Sequence, residues 1–196
     1  MNTAHVFKFK MRQPRRNLPV KASSKRGEAN FVSAFSKAYI KSVAPEGVGG
    51  REFPLAGFGI ADFVWVAWCP NGRDGSALSL ERLKAVLTKH QLTAFEMKLT
   101  HWRKGLTQAY RYSYFADRSV LVVPPSVAVL ARKEMPLFKE LGVGLWAFDA
   151  DSGKITRHFT PRATAPKNED VRSRAVALLS RKVYFGERSK LRQARL

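Results

Sequence analysis

Between residues 92 and 148, short β-favouring runs alternate with segments whose apolar residues recur at the helical period. This alternation constrains the fold more than any other feature of the chain. It predicts strands at 92–98, 119–123 and 143–148, with helices at 102–115 and 127–141 between them. Strand, helix, strand, helix, strand is the rhythm of parallel neighbours joined by helical crossovers, so the expected fold is α/β, with one central mixed sheet flanked by helices. Upstream, Phe31, Val32, Phe35, Ala38 and Tyr39 predict an amphipathic helix over 28–42, and a loop rich in glycine follows it. Strands are expected at 51–55 and 59–68, a turn-rich loop at 70–76, and a helix at 79–90 capped by Ser79. A short strand at 5–9, a hairpin return at 154–157 and a basic helix at 169–183 complete the reading. With 196 residues, 45% of them hydrophobic, the chain has material for one core.

The formal net charge is +20, and its distribution matters more than its size. Residues 1–26 carry eight lysines and arginines and no acid, and residues 154–196 carry twelve against three acids. The middle is nearly balanced. The expected organisation is therefore a basic N-terminal arm at 1–23, a central domain at 24–158 and a basic C-terminal extension with a helix at 159–196. Basic ends of this kind suit a polyanion, because each cation set against a phosphate releases condensed counterions. Nucleic acid is the expected partner, with a solvated charged surface or an anionic membrane as the alternatives. Arg15, Arg16, Lys25, Arg26, Arg103 and Lys104 are the expected phosphate contacts. The single cysteine, Cys69, cannot form an internal disulfide and reads as a packed thiol, which points to a cytoplasmic setting. No apolar leader is visible, and Pro124 and Pro125 interrupt the longest apolar run, so no membrane span is expected.

The residues with chemistry to offer lie around the first of the alternating strands. Glu96 and Lys98 are two apart on that strand and so share one face, while Met97 takes the other. Gln108 and Tyr112 are four apart on the following helix and share a face of it. Asp62 stands near the start of a very apolar strand, after Gly57 and Gly59, and needs a cation, a donor or water there. A strand-end aspartate bonded to backbone N–H groups is the plainer alternative. For Glu28 the alternative is a carboxylate favoured by the dipole in the first helical turn, and for Tyr112 a core aromatic. His5, His90, His101 and His158 show no ligand spacing, so zinc is not expected.

Taken together, Asp62 on one strand, Glu96-Met97-Lys98 on a neighbouring one, a preceding helix with Glu28 and a following helix with Gln108 and Tyr112 resemble the PD-(D/E)XK nuclease superfamily. The Gln-x-x-x-Tyr spacing is similar to that of RecB-type nucleases. The resemblance covers roughly residues 24–150, and it departs from the pattern at two places. Ile60-Ala61 stands where a proline is usual, and Asp62 and Glu96 are 34 positions apart because a helix is inserted between them. The resemblance implies a restriction-endonuclease-like core and a metal-dependent nuclease acting on DNA, with RNA left open. It implies Asp62, Glu96 and Lys98 as catalytic residues. Mg²⁺ or Mn²⁺ would be held by Asp62, Glu96 and the backbone carbonyl of Met97, with Glu28 as a further ligand through water. Gln108 and Tyr112 would position the substrate strand. A junction resolvase of the same superfamily, acting as a homodimer, and a non-catalytic nucleic-acid-binding protein are the other two functions considered.

Overall fold

The computed structural model of the chain describes residues 4–9, 22–43, 46–68 and 79–193. Seven strands lie side by side in chain order: β1 (Ala4–Lys8), β2 (Gly47–Leu55), β3 (Gly59–Val66), β4 (Leu92–Met97), β5 (Arg118–Val123), β6 (Val143–Phe148) and β7 (Ile155–Phe159). β1 runs parallel to β2, and β3 runs antiparallel to both β2 and β4. β4, β5 and β6 are parallel neighbours, and β7 closes the sheet antiparallel to β6. The helices are α1 (Ala22–Ser42), α2 (Leu80–Lys89), α3 (Trp102–Tyr112), α4 (Pro125–Ala131), α5 (Met135–Leu141) and α6 (Glu169–Gln193). The chain is thus an α/β protein on one mixed sheet, as the alternation across 92–148 requires.

Four elements differ from their expected form, the simplest being α6, which runs on to Gln193 where an end at 183 was expected. α1 begins at Ala22, not at 28, so its first turn holds no acid and the dipole account of Glu28 does not apply. β2 takes in Gly47, Gly49 and Gly50, which had the composition of a loop. The reason lies across the sheet, where the Trp65 indole rests against this strand. A Cβ on Gly49 would fall 2.6 Å from that ring and 2.5 Å from the Val64 carbonyl. The single helix expected at 127–141 is divided into α4 and α5 by a 3₁₀ turn, Arg132–Glu134. Pro136 has no N–H and its ring crowds the carbonyl of Arg132, so a regular α-helix does not pass through it. The expected turn at 70–76, Cys69, and the arm residues Arg15 and Arg16 lie outside the described residues. Lys25 and Arg26 fall within α1, but their side chains also lie outside the description.

The two faces of the sheet are covered differently. α1 sets Phe31, Phe35 and Tyr39 against Phe63, Trp65, Phe95, Met97, Val122, Trp146 and Phe148, an almost wholly aromatic layer. On the other face α3, α4 and α5 cover Leu121, Val123, Leu145 and Ala147. Beside them α2 and α6 cover Val64, Val66, Leu92 and Ala94. The basic C-terminal segment is anchored here, because Val171, Ala175, Val176, Leu179 and Val183 of α6 are buried in that same layer.

An ion pair between a buried arginine and a half-buried aspartate ties α6 to the root of β4. Asp117 exchanges two hydrogen bonds with the Leu92 backbone, its N–H donating to the Leu92 carbonyl at 2.9 Å and its Oδ2 accepting the Leu92 N–H at 2.6 Å. The Arg172 guanidinium from α6 lies 3.0 Å from that same Oδ2 and also donates to the carbonyls of His90 and Phe115. Removing one partner of such a pair leaves the other charge and both carbonyls unsatisfied. Arg172→Ala is therefore expected to lower the unfolding free energy by about 3–5 kcal/mol, as measured by denaturant unfolding, with conservative exposed substitutions such as Arg174→Lys as the comparison.

Candidate active site

The antiparallel register of β3 and β4 pairs Val64 with Ala94 and Phe63 with Phe95. Continued by one residue, it sets Asp62 level with Glu96. Val64 and Ala94 belong to the layer beneath α2 and α6, and side chains two apart share a face. Asp62 and Glu96 therefore emerge next to one another on the face that α3 covers. Cross-strand neighbours of this kind hold their Cβ atoms about 5 Å apart.

Three contacts hold this pair. Asp62 Oδ2 accepts the Met97 N–H at 2.7 Å. Lys98 Nζ donates to Glu96 Oε1 at 2.6 Å. The hydroxyl of Tyr112, on α3, meets both Glu96 Oε2 and the carbonyl of Ile60, the latter at 2.8 Å. A phenol has one proton to give, so both Tyr112 contacts are satisfied together when Glu96 is protonated and donates to the hydroxyl. The bond to Met97 is the backbone anchoring that a strand aspartate can have without any catalytic role. It engages only one of the two Asp62 oxygens.

The electrostatics follow from this geometry. Burial, and then the charge of Glu96, push the Asp62 carboxyl up to about 7, against the opposing effects of the Met97 N–H and Lys98. Burial also raises Glu96, which is 1% exposed, although Lys98 and Tyr112 pull it back. For Lys98 burial works against the charge, but Glu96, Asp62 and Glu28 together outweigh it and hold the ammonium above its ordinary value. Burial, followed by the negative charge of Glu96, keeps the Tyr112 hydroxyl protonated. Glu28 is exposed on α1 and reaches this group through its charge.

Gln108 lies one turn before Tyr112, and its Oε1 is buried without a hydrogen-bond partner. Arg103 and Lys104 are exposed on the outer side of α3. Arg103 lies over the Trp102 ring at 4.4 Å and 3.2 Å from Glu134. The structure thus bonds Glu96, Lys98 and Tyr112 to one another and sets Asp62 beside them, with Gln108 on the adjoining turn. Among the described residues no group of three or more His, Cys, Asp and Glu side chains is arranged to hold a metal ion. What the chain offers is two carboxylates, with the Met97 carbonyl at the end of the same strand.

Two parts of the site were not singled out from the sequence. One is the Ile60 carbonyl, a backbone atom that no residue type announces. The other is Gly105. A Cβ there would lie 2.7 Å from Lys98 Cγ and 2.7 Å from Leu121 Cδ1, so the bare α-carbon makes the groove through which the lysine stem reaches Glu96. An isolated glycine inside an amphipathic helix was the available signal, since it costs about 1 kcal/mol relative to alanine.

Comparison of the chain with family models, with curated proteins and with solved structures finds no match.

Two measurements follow from the geometry. Gly105→Ala should be more destabilising, by about 1–2 kcal/mol, in the wild-type background than in Lys98→Ala, where the alanine methyl meets no lysine stem. The Leu121 contact is common to both backgrounds and cancels, so equal changes in unfolding free energy would exclude the groove. The second concerns pH. The ordinary carboxyl value is 3.8 and the folded value of Asp62 is about 7, so the folded protein keeps a proton that the unfolded chain has lost. Across that window this group removes stability as pH rises, and the loss is complete above about 7. Asp62→Asn should flatten this part of the stability profile and be the more stable protein above neutrality, as measured by thermal melting across pH without divalent ions.

Proposed function

We propose that the protein is a metal-dependent nuclease that hydrolyses phosphodiester bonds of DNA, with Asp62, Glu96 and Lys98 as its catalytic residues. The observation that carries this reading is the level placement of a half-buried and a buried carboxylate on adjacent strands, with an ammonium 2.6 Å from the buried one. An acid whose charge raises the pKa of the carboxyl beside it marks a seat for a cation.

The donors fit Mg²⁺ or Mn²⁺. They are hard oxygens only, and an ion that keeps several waters does not need a full protein cage. Asp62 has one oxygen outside its bond to Met97. An ionised Glu96 offers about four lone-pair directions, of which Lys98 and Tyr112 use two. Asp62, Glu96 and the Met97 carbonyl would hold the ion, with Glu28 acting through water. When bound, such an ion neutralises phosphate charge and lowers the pKa of a coordinated water.

The chain's own groups account for the rest. Lys98, held charged at the mouth of the acid pair, is placed to stabilise negative charge that develops on the scissile phosphate. Tyr112 donates to the ionised Glu96 and fixes its orientation. Gln108 offers an acceptor that lacks a donor, which suits a role in positioning the substrate strand. Arg103 and Lys104 on α3, together with Lys25, Arg26, Arg15 and Arg16, supply cations for flanking phosphates. A lone cysteine suits a cytoplasmic setting. No helix among the described residues is long and apolar enough to cross a membrane.

The test is a panel of single-stranded, duplex, flap and junction DNA and RNA, incubated with and without Mg²⁺ or Mn²⁺. Cleavage of a DNA member only in the presence of the ion is expected. Glu96→Gln and Lys98→Ala should lower the rate by about 100-fold or more while binding persists. Mn²⁺ should raise the melting temperature of the wild type and raise that of Glu96→Gln much less. Unchanged cleavage by either variant would overturn the reading. Binding without turnover would favour the non-catalytic alternative, and a dimer selective for junctions would favour the resolvase.

A further inference from the structure

Beside the acid pair, and outside the groups assigned above, lies an aromatic and cationic surface. The turn from β2 into β3 carries Phe58 between Gly57 and Gly59, whose φ angles are +86° and +93°. Nothing comes within 4 Å of a Cβ built on either glycine, so the glycines face open space while the Phe58 side chain is half-buried against the core. Phe58 ends the turn, and Ile60 on β3 is 39% exposed although it is only two residues from the acid.

On the other side of this turn stands the C-terminal end of α3. The Tyr114 ring lies 5.5 Å from that of Phe58, tilted by 38°, and the residue is 36% exposed. Lys167 completes the cluster from the segment before α6. Its Nζ is 4.0 Å from the Tyr110 ring centre, 5.9 Å from that of Tyr114, and donates to the Tyr110 hydroxyl at 2.8 Å.

The arrangement is held by backbone. The Lys167 N–H donates to the Ser113 carbonyl at 2.9 Å and the Asn168 N–H to the Tyr114 carbonyl at 3.2 Å, which fixes the lysine against α3. The Tyr112 hydroxyl fixes the β2–β3 turn to α3 through the Ile60 carbonyl. An exposed tyrosine backed by a half-buried phenylalanine, with a lysine at its edge and prepositioned beside an acid site in a protein of net charge +20, has the chemistry of a surface for an unpaired nucleobase and its phosphate.

We infer that Phe58 and Tyr114 stack an unpaired base next to the scissile phosphate while Lys167 contacts the adjoining phosphate. The substrates are then nucleic acids with single-stranded character at the cut, such as single strands, flaps or frayed ends. This rests on the reading of Asp62 and Glu96 as the hydrolytic centre. A base inside a duplex keeps both faces covered by its neighbours and has no face to offer. Ile60, exposed between the acids and the aromatic pair, gives the sugar an apolar floor.

The experiment is equilibrium binding, by fluorescence anisotropy, of an oligothymidylate strand and of an abasic strand of equal length, in Ca²⁺ so that neither is turned over. Cleavage of the oligothymidylate in Mg²⁺ is followed in parallel. Tyr114→Ala should weaken binding of the oligothymidylate by about 10-fold, well beyond its effect on the abasic strand. Tyr114→Trp should restore it, which separates stacking from a fold defect. Lys167→Ala should weaken both strands and lower the salt dependence of binding. Equal losses for the two strands in Tyr114→Ala, or no loss, would overturn the surface, and the hydrolase reading would stand if the wild type still cleaves. A base-dependent loss with no cleavage by the wild type would keep the surface and overturn the hydrolase.

Discussion

The structure depends on keeping two carboxyl groups side by side in a largely buried place. Asp62 and Glu96 leave adjacent strands of the sheet on the same face, beneath α3, where water does little to separate them. Their mutual repulsion and desolvation are costs that the surrounding contacts offset: an N–H of Met97 on one acid, an ammonium and a phenol on the other. The N–H and the ammonium come from the end of β4, and the phenol comes from α3. The pair stays together only while β3, β4 and α3 keep their registers.

That dependence explains why the surroundings are so firmly set. A slip of one residue between β3 and β4 would turn Asp62 toward α1, into a layer built of phenylalanine, tyrosine and tryptophan, where it would find no partner. The aromatic layer on one face and the Asp117–Arg172 pair at the root of β4 both hold the register against such a slip. Stability supplied by the core thus tolerates a local arrangement that by itself favours separation. The same logic applies to Gly105, where a weak helix position is kept because the lysine stem needs the volume of a methyl group.

The basic ends have a double character. By charge they look detachable, a coat of cations on a balanced core. By packing they are not, because β1 forms the edge of the sheet and α6 contributes five buried side chains to the layer next to the acids. Cations from the C-terminal segment are consequently held in fixed positions relative to the site, and Lys167 against Tyr110 is the clearest case.

Much of the fold was legible because hydrophobic period is a local property. The strands and helices of 92–148 appear with small shifts of boundary, apart from the break that Pro136 imposes on the 127–141 helix. Where a neighbour decides, the sequence was a poor guide. Gly47 to Gly50 looks like a loop until Trp65, and Phe9 at Gly50, are seen to occupy the space where side chains would stand, and α1 runs back to Ala22 past the start that Gly27 and Glu28 suggested.

For the site, the sequence by itself determined which residue types were present and which shared a face: Glu96 with Lys98 along a strand, Gln108 with Tyr112 along a helix. Only the tertiary structure decided that Asp62 stands level with Glu96, that Tyr112 bonds the carboxylate and so is more than a core aromatic, and that Gly105 opens the path of Lys98. Periodicity places side chains on a face of their own element, whereas the meeting of two faces is settled by register and by the volumes that fit between them.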